Sequence, residues 1–507
     1  MGKASRNKRK RTGANKSGKN RTPLSGHTIV GKELVPPFAK MEKIVPTSWT
    51  NDRLPEMVWA ALIRIFLDQD HALGLFRRYL NFIGKHEKAS SLYNATLTGF
   101  SKLDETLREE VIRFLTQPPE AAQALATLRL FKTLPARSTW DKFLPQIAPD
   151  PELLMEAVGA TLWHQSQEAT DCRWTKVMAQ VVAGKFHVPG EIVTQWLGYP
   201  NEGDQRSVRP SIRAAEMAEN PLEPRDLTWP KAFWQEAWEN TPCLELAPAR
   251  SIVLPDTIVT RPRIQKAVEL LGSHWNQTHS TTAVDAKHDG VFGMSFYALR
   301  ILEEMLGIGV ESSVLGRLGL RTILEVHINL RVLLGNDDDA LWQKWRTYGA
   351  AQAKLNALKF DETVDPPRYI DVESIERIAG EDLWEEFLKI NLASWSGTDL
   401  RRMSEQSGLK GTYDKFYSWT SGYAHGMWGP IRESCYQTCG NPLHRLHRYP
   451  SRNVLQDTLD DAAELVDEIL GDLDKAYPEF PHRLARQEHG TEPMRAPGRQ
   501  EKAPASR

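Results

Sequence analysis

The sequence predicts an all-α protein: an N-terminal helical domain, a C-terminal helical bundle and a disordered basic N-terminal tail. Three observations predict it. Apolar residues recur at helical spacing through most of the chain, while strand-like alternation is rare. The stretch 311–334, ESSVLGRLGLRTILEVHINLRVLL, is apolar around nearly its whole circumference, as a helix inside a protein is. Residues 1–22 carry nine Lys/Arg and no acid, with almost nothing to bury.

Taken in order, residues 1–45 read as a disordered basic tail, followed by an N-terminal helical domain over 46–245. Asp52 is placed to cap its first helix, with Pro55 in the first turn. Further helices are expected at 70–83, 104–115, 119–131, 151–163, 172–183 and 230–239, with a loop from 199 to 210. Pro248, Pro255 and Pro262 mark a linker over 246–262. The C-terminal bundle, 263–480, is expected to contain helices at 264–278, 285–307, 311–335, 338–359, 399–406, 411–428 and 452–474. Residues 481–507 read as a second disordered tail.

With 507 residues, 41% hydrophobic and 25% charged, the body has the composition of a soluble globular protein. Net charge is -1, so removing the tail's nine cations leaves the body near -10. The body therefore lacks an overall attraction to nucleic acid. The tail has one, through Lys3, Arg6, Lys8, Arg9, Lys10 and Arg11, and RNA is the partner expected there. It has no aromatic residue for base stacking, so its binding would be indifferent to sequence. Four cysteines make no disulfide framework, and no apolar run approaches the roughly 18 residues of a membrane span. A reducing, cytoplasmic location is expected, and a homodimer is compatible with the sequence. Walker A, GxGxxG, HExxH and GxSxG signatures are missing from the sequence, which argues against the enzymes that use them.

Two polar rows interrupt the apolar helices. Arg317, Arg321, Glu325 and Asn329 recur every four residues and so share one helix face. Buried charge is costly unless paired, so the row needs partners. Tyr417, Ser421 and His425 repeat the spacing later, among Phe416, Trp419, Tyr423 and Trp428. Two such rows satisfy each other by facing, so the two helices are expected to pack together. Cys435-x3-Cys439-x4-His444-x2-His447 offers four ligand types for zinc, but the gap between the Cys and His pairs is shorter than in a typical finger. No metal site and no cofactor is expected from that spacing.

The strings YALRILEEML, GRLGLRTILEVHINLRVLL, FYSWTSGYAHG and CGNPLHRLHRYP resemble a bacterial helical family of undetermined function over about 280–475. That family pairs an Arg-Thr-x-x-Glu helix with a Tyr-x-x-x-Ser-x-x-x-His helix. The architecture also resembles HEPN helical domains, many of them metal-independent ribonucleases of defence systems with an Arg-x(4–6)-His signature. The resemblance implies that arginine steadies a phosphate while histidine assists attack by the ribose 2′-hydroxyl. Here His425 departs from the signature, since Ser418, Trp419 and Thr420 occupy the arginine positions, while Arg321-x5-His327, Arg21-x5-His27, Arg64-x6-His71 and Arg483-x5-His489 all fit the spacing, about as many as chance gives. Carried over, the resemblance makes Arg321 the phosphate holder, His425 the acid–base and Glu325 and Tyr417 their orienters, with Ser421 in the same row. A defence or stress protein acting on RNA is the first expectation. The alternative is a non-catalytic helical binding or scaffold protein whose polar rows are structural.

Overall fold

The computed structural model describes residues 24–31, 33–37, 48–200, 205–217, 226–244, 259–336, 338–362, 364–382 and 388–484. The basic residues from Lys3 to Arg11, most of the expected linker and nearly all of the second tail lie outside them. The chain divides into two compact units, one made of 1–245 with 439–447 and the other of 246–438 with 448–507. No described helix is long and apolar enough to cross a membrane.

The first unit contains α1 (Val58–Phe66), α2 (Gln69–Lys85), α3 (Leu97–Ser101), α4 (Glu105–Thr116), α5 (Pro119–Leu125), α6 (Arg137–Phe143), α7 (Pro151–Leu162), α8 (Gln167–Val182), α9 (Gly190–Leu197), α10 (Gln205–Met217) and α11 (Thr228–Asn240). Ahead of them an exposed hairpin pairs β1 (Thr28–Val30) with β2 (Glu33–Val35). It lies at the end of the tail span 1–45, where Gly31, at φ +61, supplies the left-handed turn residue between two short β-branched and apolar runs. α1 is buried from Val58 to Ile63. Its Trp59 packs with Phe76 and Tyr79 edge-on at 5.9 Å and with Phe100 at 5.7 Å. Asp52 does not cap α1; its carboxylate accepts the Ser48 amide at 2.9 Å. The expected loop over 199–210 is shorter than predicted. α10 starts at Gln205 despite Pro210, because Val208, Ile212 and Glu216 fall on one face and are buried there.

The second unit contains α12 (Arg261–Thr278), α13 (Ala286–Gly307), α14 (Val314–Asn336), α15 (Asp339–Glu362), α16 (Val372–Ala379), α17 (Leu400–Gln406), α18 (Lys410–Ala424), α19 (Trp428–Cys435) and α20 (Leu459–Ala476). A second two-stranded antiparallel sheet pairs β3 (Tyr436–Thr438) with β4 (Arg448–Pro450). α14 runs through the core, flanked by α13, α18 and α20. Ile323, Leu324, Ile328, Leu330 and Leu333 are fully buried on it. α13 and α15 approach closely at Gly290, where a Cβ would lie 2.6 Å from the Trp342 ring. The helix expected over 411–428 is two helices. α18 ends at Ala424, His425 is its C-cap, and Gly426 at φ +60 turns the chain before α19.

Candidate functional site

The two polar rows meet through only part of their length. Arg321 Nη2 donates to the Tyr417 hydroxyl at 3.3 Å, and its guanidinium lies over the Tyr417 ring at 5.1 Å. Arg321 Nε also pairs with Glu325 Oε1 at 3.0 Å across one turn. One turn earlier Arg317 lies 5.7 Å from the Tyr423 ring. Pairing 321 with 417 and 317 with 423 makes α14 and α18 antiparallel. Asn329 closes the row, its Oδ1 accepting the Trp395 indole N–H at 3.0 Å.

The row is half-buried rather than buried as expected. Arg321 and Glu325 side chains are 19% and 37% exposed, because α18 covers only one edge of this face. Arg317 is buried, but it spends its donors on the carbonyls of Glu311 and Ser313. Burial first, and then the Glu433 carboxylate at 2.5 Å, push the Tyr423 hydroxyl up to about 12. Ser421 is half-buried, and its carbonyl accepts the His425 amide at 3.1 Å. His425 itself is exposed at the end of α18. It stands two turns beyond Tyr417, about 12 Å along the axis and toward the start of α14. The structure therefore brings Arg321, Glu325 and Tyr417 together. Among the described residues no hydrogen bond or ion pair joins His425 to them.

The residue on α14 that is wholly buried and polar is His327, which the row did not include. Its Nε2 lies 3.2 Å from Asp472 Oδ2 of α20, and its Nδ1 lies 3.3 Å from Glu468 Oε2. Asp472 also pairs with Arg331, and with Lys475 at 2.9 Å. Burial acts to raise the Asp472 carboxyl, but hydrogen bonds from His327, Lys475 and Arg331 outweigh it and hold the group at about 2. Arg331, Asp472 and Lys475 line a cleft of about 860 Å³, whose walls also include Lys287, Asn336 and Gln406. This cleft opens at Arg331, ten positions beyond Arg321 along α14. His327 and Arg331 share a face by i,i+4 spacing, a signal present in the sequence but hidden within an apolar stretch.

A third cluster lies wholly in the first unit. Cys243, Cys439, His444 and His447 bring one ligand atom each to within 4.8 Å of one another. Cys435 is not part of it. That thiol is exposed at the end of α19 in the second unit, with Sγ 3.4 Å from Ser434 Oγ. The expectation of no metal site weighed Cys435 in the set, and the tertiary structure seats Cys243 in its place.

A model described as a family of unknown function (DUF5677) matches residues 316–438, which contain both the Arg-Thr-x-x-Glu row of α14 and the Tyr-x-x-x-Ser-x-x-x-His row of α18. No curated protein and no solved structure matches the chain. Over 316–438, then, the chain is similar to a helical family whose function is unknown.

Proposed function

We propose that the second unit is a non-catalytic helical binding module for a phosphate-bearing ligand, RNA foremost, held at the Arg331–Lys475 wall of the cleft. The observation that carries this reading is the single carboxylate of Asp472, 3% exposed, shared by Arg331 and Lys475 at the cleft surface and by His327 beneath. A carboxylate held that low stays ionised at neutral pH and fixes both cations in place. The Arg331 side chain remains 33% exposed and that of Lys475 72%, leaving N–H donors to turn toward an anion. The Arg321 row is less suited to chemistry, because its guanidinium is already paired with Glu325 and its histidine stands two turns away.

One observation favours the second reading, a HEPN-like ribonuclease of a defence or stress system. His425 is exposed in a turn that also exposes Met427 and Trp428, with Trp419 exposed one and a half turns before it. Exposed indoles stack unpaired bases. Both readings are tested with a chain beginning at Lys43, so that the basic tail does not contribute. A single-stranded RNA oligonucleotide is titrated at two salt concentrations, and total RNA is incubated with the protein. Salt-sensitive binding that weakens several-fold in Arg331→Ala/Lys475→Ala, without cleavage, is expected. Unchanged affinity in that variant would remove the cleft. RNA cleavage abolished by His425→Ala would replace this reading with the ribonuclease.

A further inference from the structure

We infer that the first unit holds a structural zinc ion bound by Cys243, Cys439, His444 and His447. The local sequence supplies three of these donors on one short segment. Asn441 is its pivot: its side-chain oxygen accepts the Leu443 amide at 2.8 Å, and its Nδ2 donates to the Pro242 carbonyl at 2.7 Å. Pro442 and Leu443 lead into a tight turn at His444, and Arg445, at φ +34, reverses the chain so that His447 returns to the same side. The Cys439 amide donates to the His447 carbonyl at 2.9 Å and the Gly440 amide to the Leu244 carbonyl at 2.7 Å. Those bonds fasten the segment to the stretch just after α11, which carries Cys243.

Three sulfur–nitrogen distances match the edge of a coordination tetrahedron, with all four donor atoms within 4.8 Å of one another. Cys243 Sγ lies 3.5 Å from His444 Nδ1 and 3.7 Å from His447 Nδ1, and Cys439 Sγ lies 3.5 Å from His444 Nδ1. Zinc–sulfur and zinc–nitrogen bonds of about 2.3 and 2.05 Å at the tetrahedral angle give a sulfur–nitrogen edge of about 3.6 Å.

Hydrogen bonding fixes the tautomer of His444 independently of those distances. The Thr241 hydroxyl donates to the Ala237 carbonyl at 2.7 Å, so toward His444 it can only accept. His444 Nε2 faces that hydroxyl oxygen and the Thr241 carbonyl, each at 3.1 Å, and both are acceptors. Nε2 therefore carries the proton, and Nδ1 presents a lone pair to two sulfurs at once. One thiol proton could satisfy that lone pair from one side only; a cation satisfies it from a point shared with both thiolates. The backbone carbonyl behind the ligand ring is the outer partner that metal-bound histidines use. The Asn441 amide lies 3.5 Å from Cys439 Sγ, positioned to donate to a thiolate. Trp238 covers both imidazoles, with ring centroids at 4.6 and 4.5 Å.

Two thiols release their protons to solvent on binding, so two thiolates, two neutral imidazoles and Zn²⁺ make a site of zero net charge that tolerates burial. Four protein donors leave no open position, which makes the ion structural rather than catalytic. It would staple segment 439–447 to residue 243 within the first unit.

The test uses the full chain purified without chelator. Elemental analysis is expected to find one zinc per chain, retained in Cys435→Ser and lost in Cys243→Ser and His447→Ala. Cobalt loading is expected to give the intense visible bands of a tetrahedral site together with thiolate-to-metal charge transfer, again unchanged in Cys435→Ser. Should Cys243→Ser fail to fold, wild-type protein decides the matter: modifying its thiols with a mercurial releases zinc that a chromogenic chelator reports. Protein isolated metal-free that takes up no cobalt under reducing conditions would overturn the assignment. So would an intact Cys243–Cys439 disulfide in mapped peptides, or equal metal in the Cys243→Ser variant and wild type.

Discussion

α8 of the first unit and α14 of the second are both core helices that carry charge, and they manage it differently. α8 is buried without a break from Ala169 to Gln180. Asp171, at 0% exposure, accepts from Arg64 Nε at 2.7 Å and from the Tyr199 hydroxyl at 2.5 Å. Arg173 and Lys176 reach Glu216 of α10 at 3.3 and 3.2 Å, and Arg53 pairs with the same carboxylate. Burial acts to raise Glu216, but Lys176, Arg53 and Arg173 outweigh it and hold its carboxyl below the ordinary range. On α14, by contrast, Arg321, Glu325 and Asn329 lie on a half-covered edge, and only His327 is fully enclosed among the polar residues past Arg317. The lesson is that a helix apolar in sequence need not bury its polar row, whereas a helix mixed in sequence can bury everything if partners arrive from elsewhere.

That contrast orders the expected effects of substitution. Glu216→Ala removes the carboxylate from Arg53 and Arg173, whose side chains are 6% and 1% exposed. It should destabilise the first unit by about 3–5 kcal/mol, read as a lowered denaturant midpoint. A loss below about 1 kcal/mol would mean that α8 tolerates its charges without that partner, and the comparison would fail.

Asp472 gives the next largest effect, and it carries a pH signature. Its carboxyl lies at about 2 when folded, against an ordinary 3.8. A depressed pKa contributes stability that is complete above the unfolded value and is lost as pH falls from about 4 toward 2. The amount is about 2 kcal/mol. Asp472→Asn should lose a similar amount at neutral pH and flatten the acid limb of the second unit's stability curve. An acid limb identical to wild type would show that His327, Arg331 and Lys475 do not depend on the carboxylate.

The edge of α14 should matter least. Glu325→Ala breaks an i,i+4 pair with one partner more than a third exposed, so about 0.5 kcal/mol is expected. The buried reading of the row required a much larger loss, so a drop of about 3 kcal/mol in a chemical denaturation series would restore it. His425→Ala should stay within about 0.5 kcal/mol, since the side chain is exposed. A clear loss of stability there would mean that the α18 C-cap depends on the imidazole.

Much of the helical content was legible because periodicity is a local property: α2, α4, α7, α13, α15 and α17 start and stop within a few residues of the positions expected. The α18–α19 break was missed although Gly426 marks it, because aromatic residues continue the apolar pattern past the turn. α16 and α9 were missed for a different reason: both are eight-residue helices, too short to sustain a periodic signal. In the candidate sites, spacing alone placed Arg321 beside Glu325, and the facing-row argument placed Tyr417 against α14.

What the sequence by itself determined is therefore local: helix type, the i,i+4 rows, and the run Cys439, His444, His447 that can curl around one point. Which charges are buried, and beside what, only the tertiary structure decided. Lys176 meets Glu216 across 40 positions, Arg331 meets Asp472 across 141, and Cys243 meets His444 across 201. The free energy of a buried charge or a ligand atom is set by neighbours within a few ångströms, and folding draws those neighbours from anywhere along the chain.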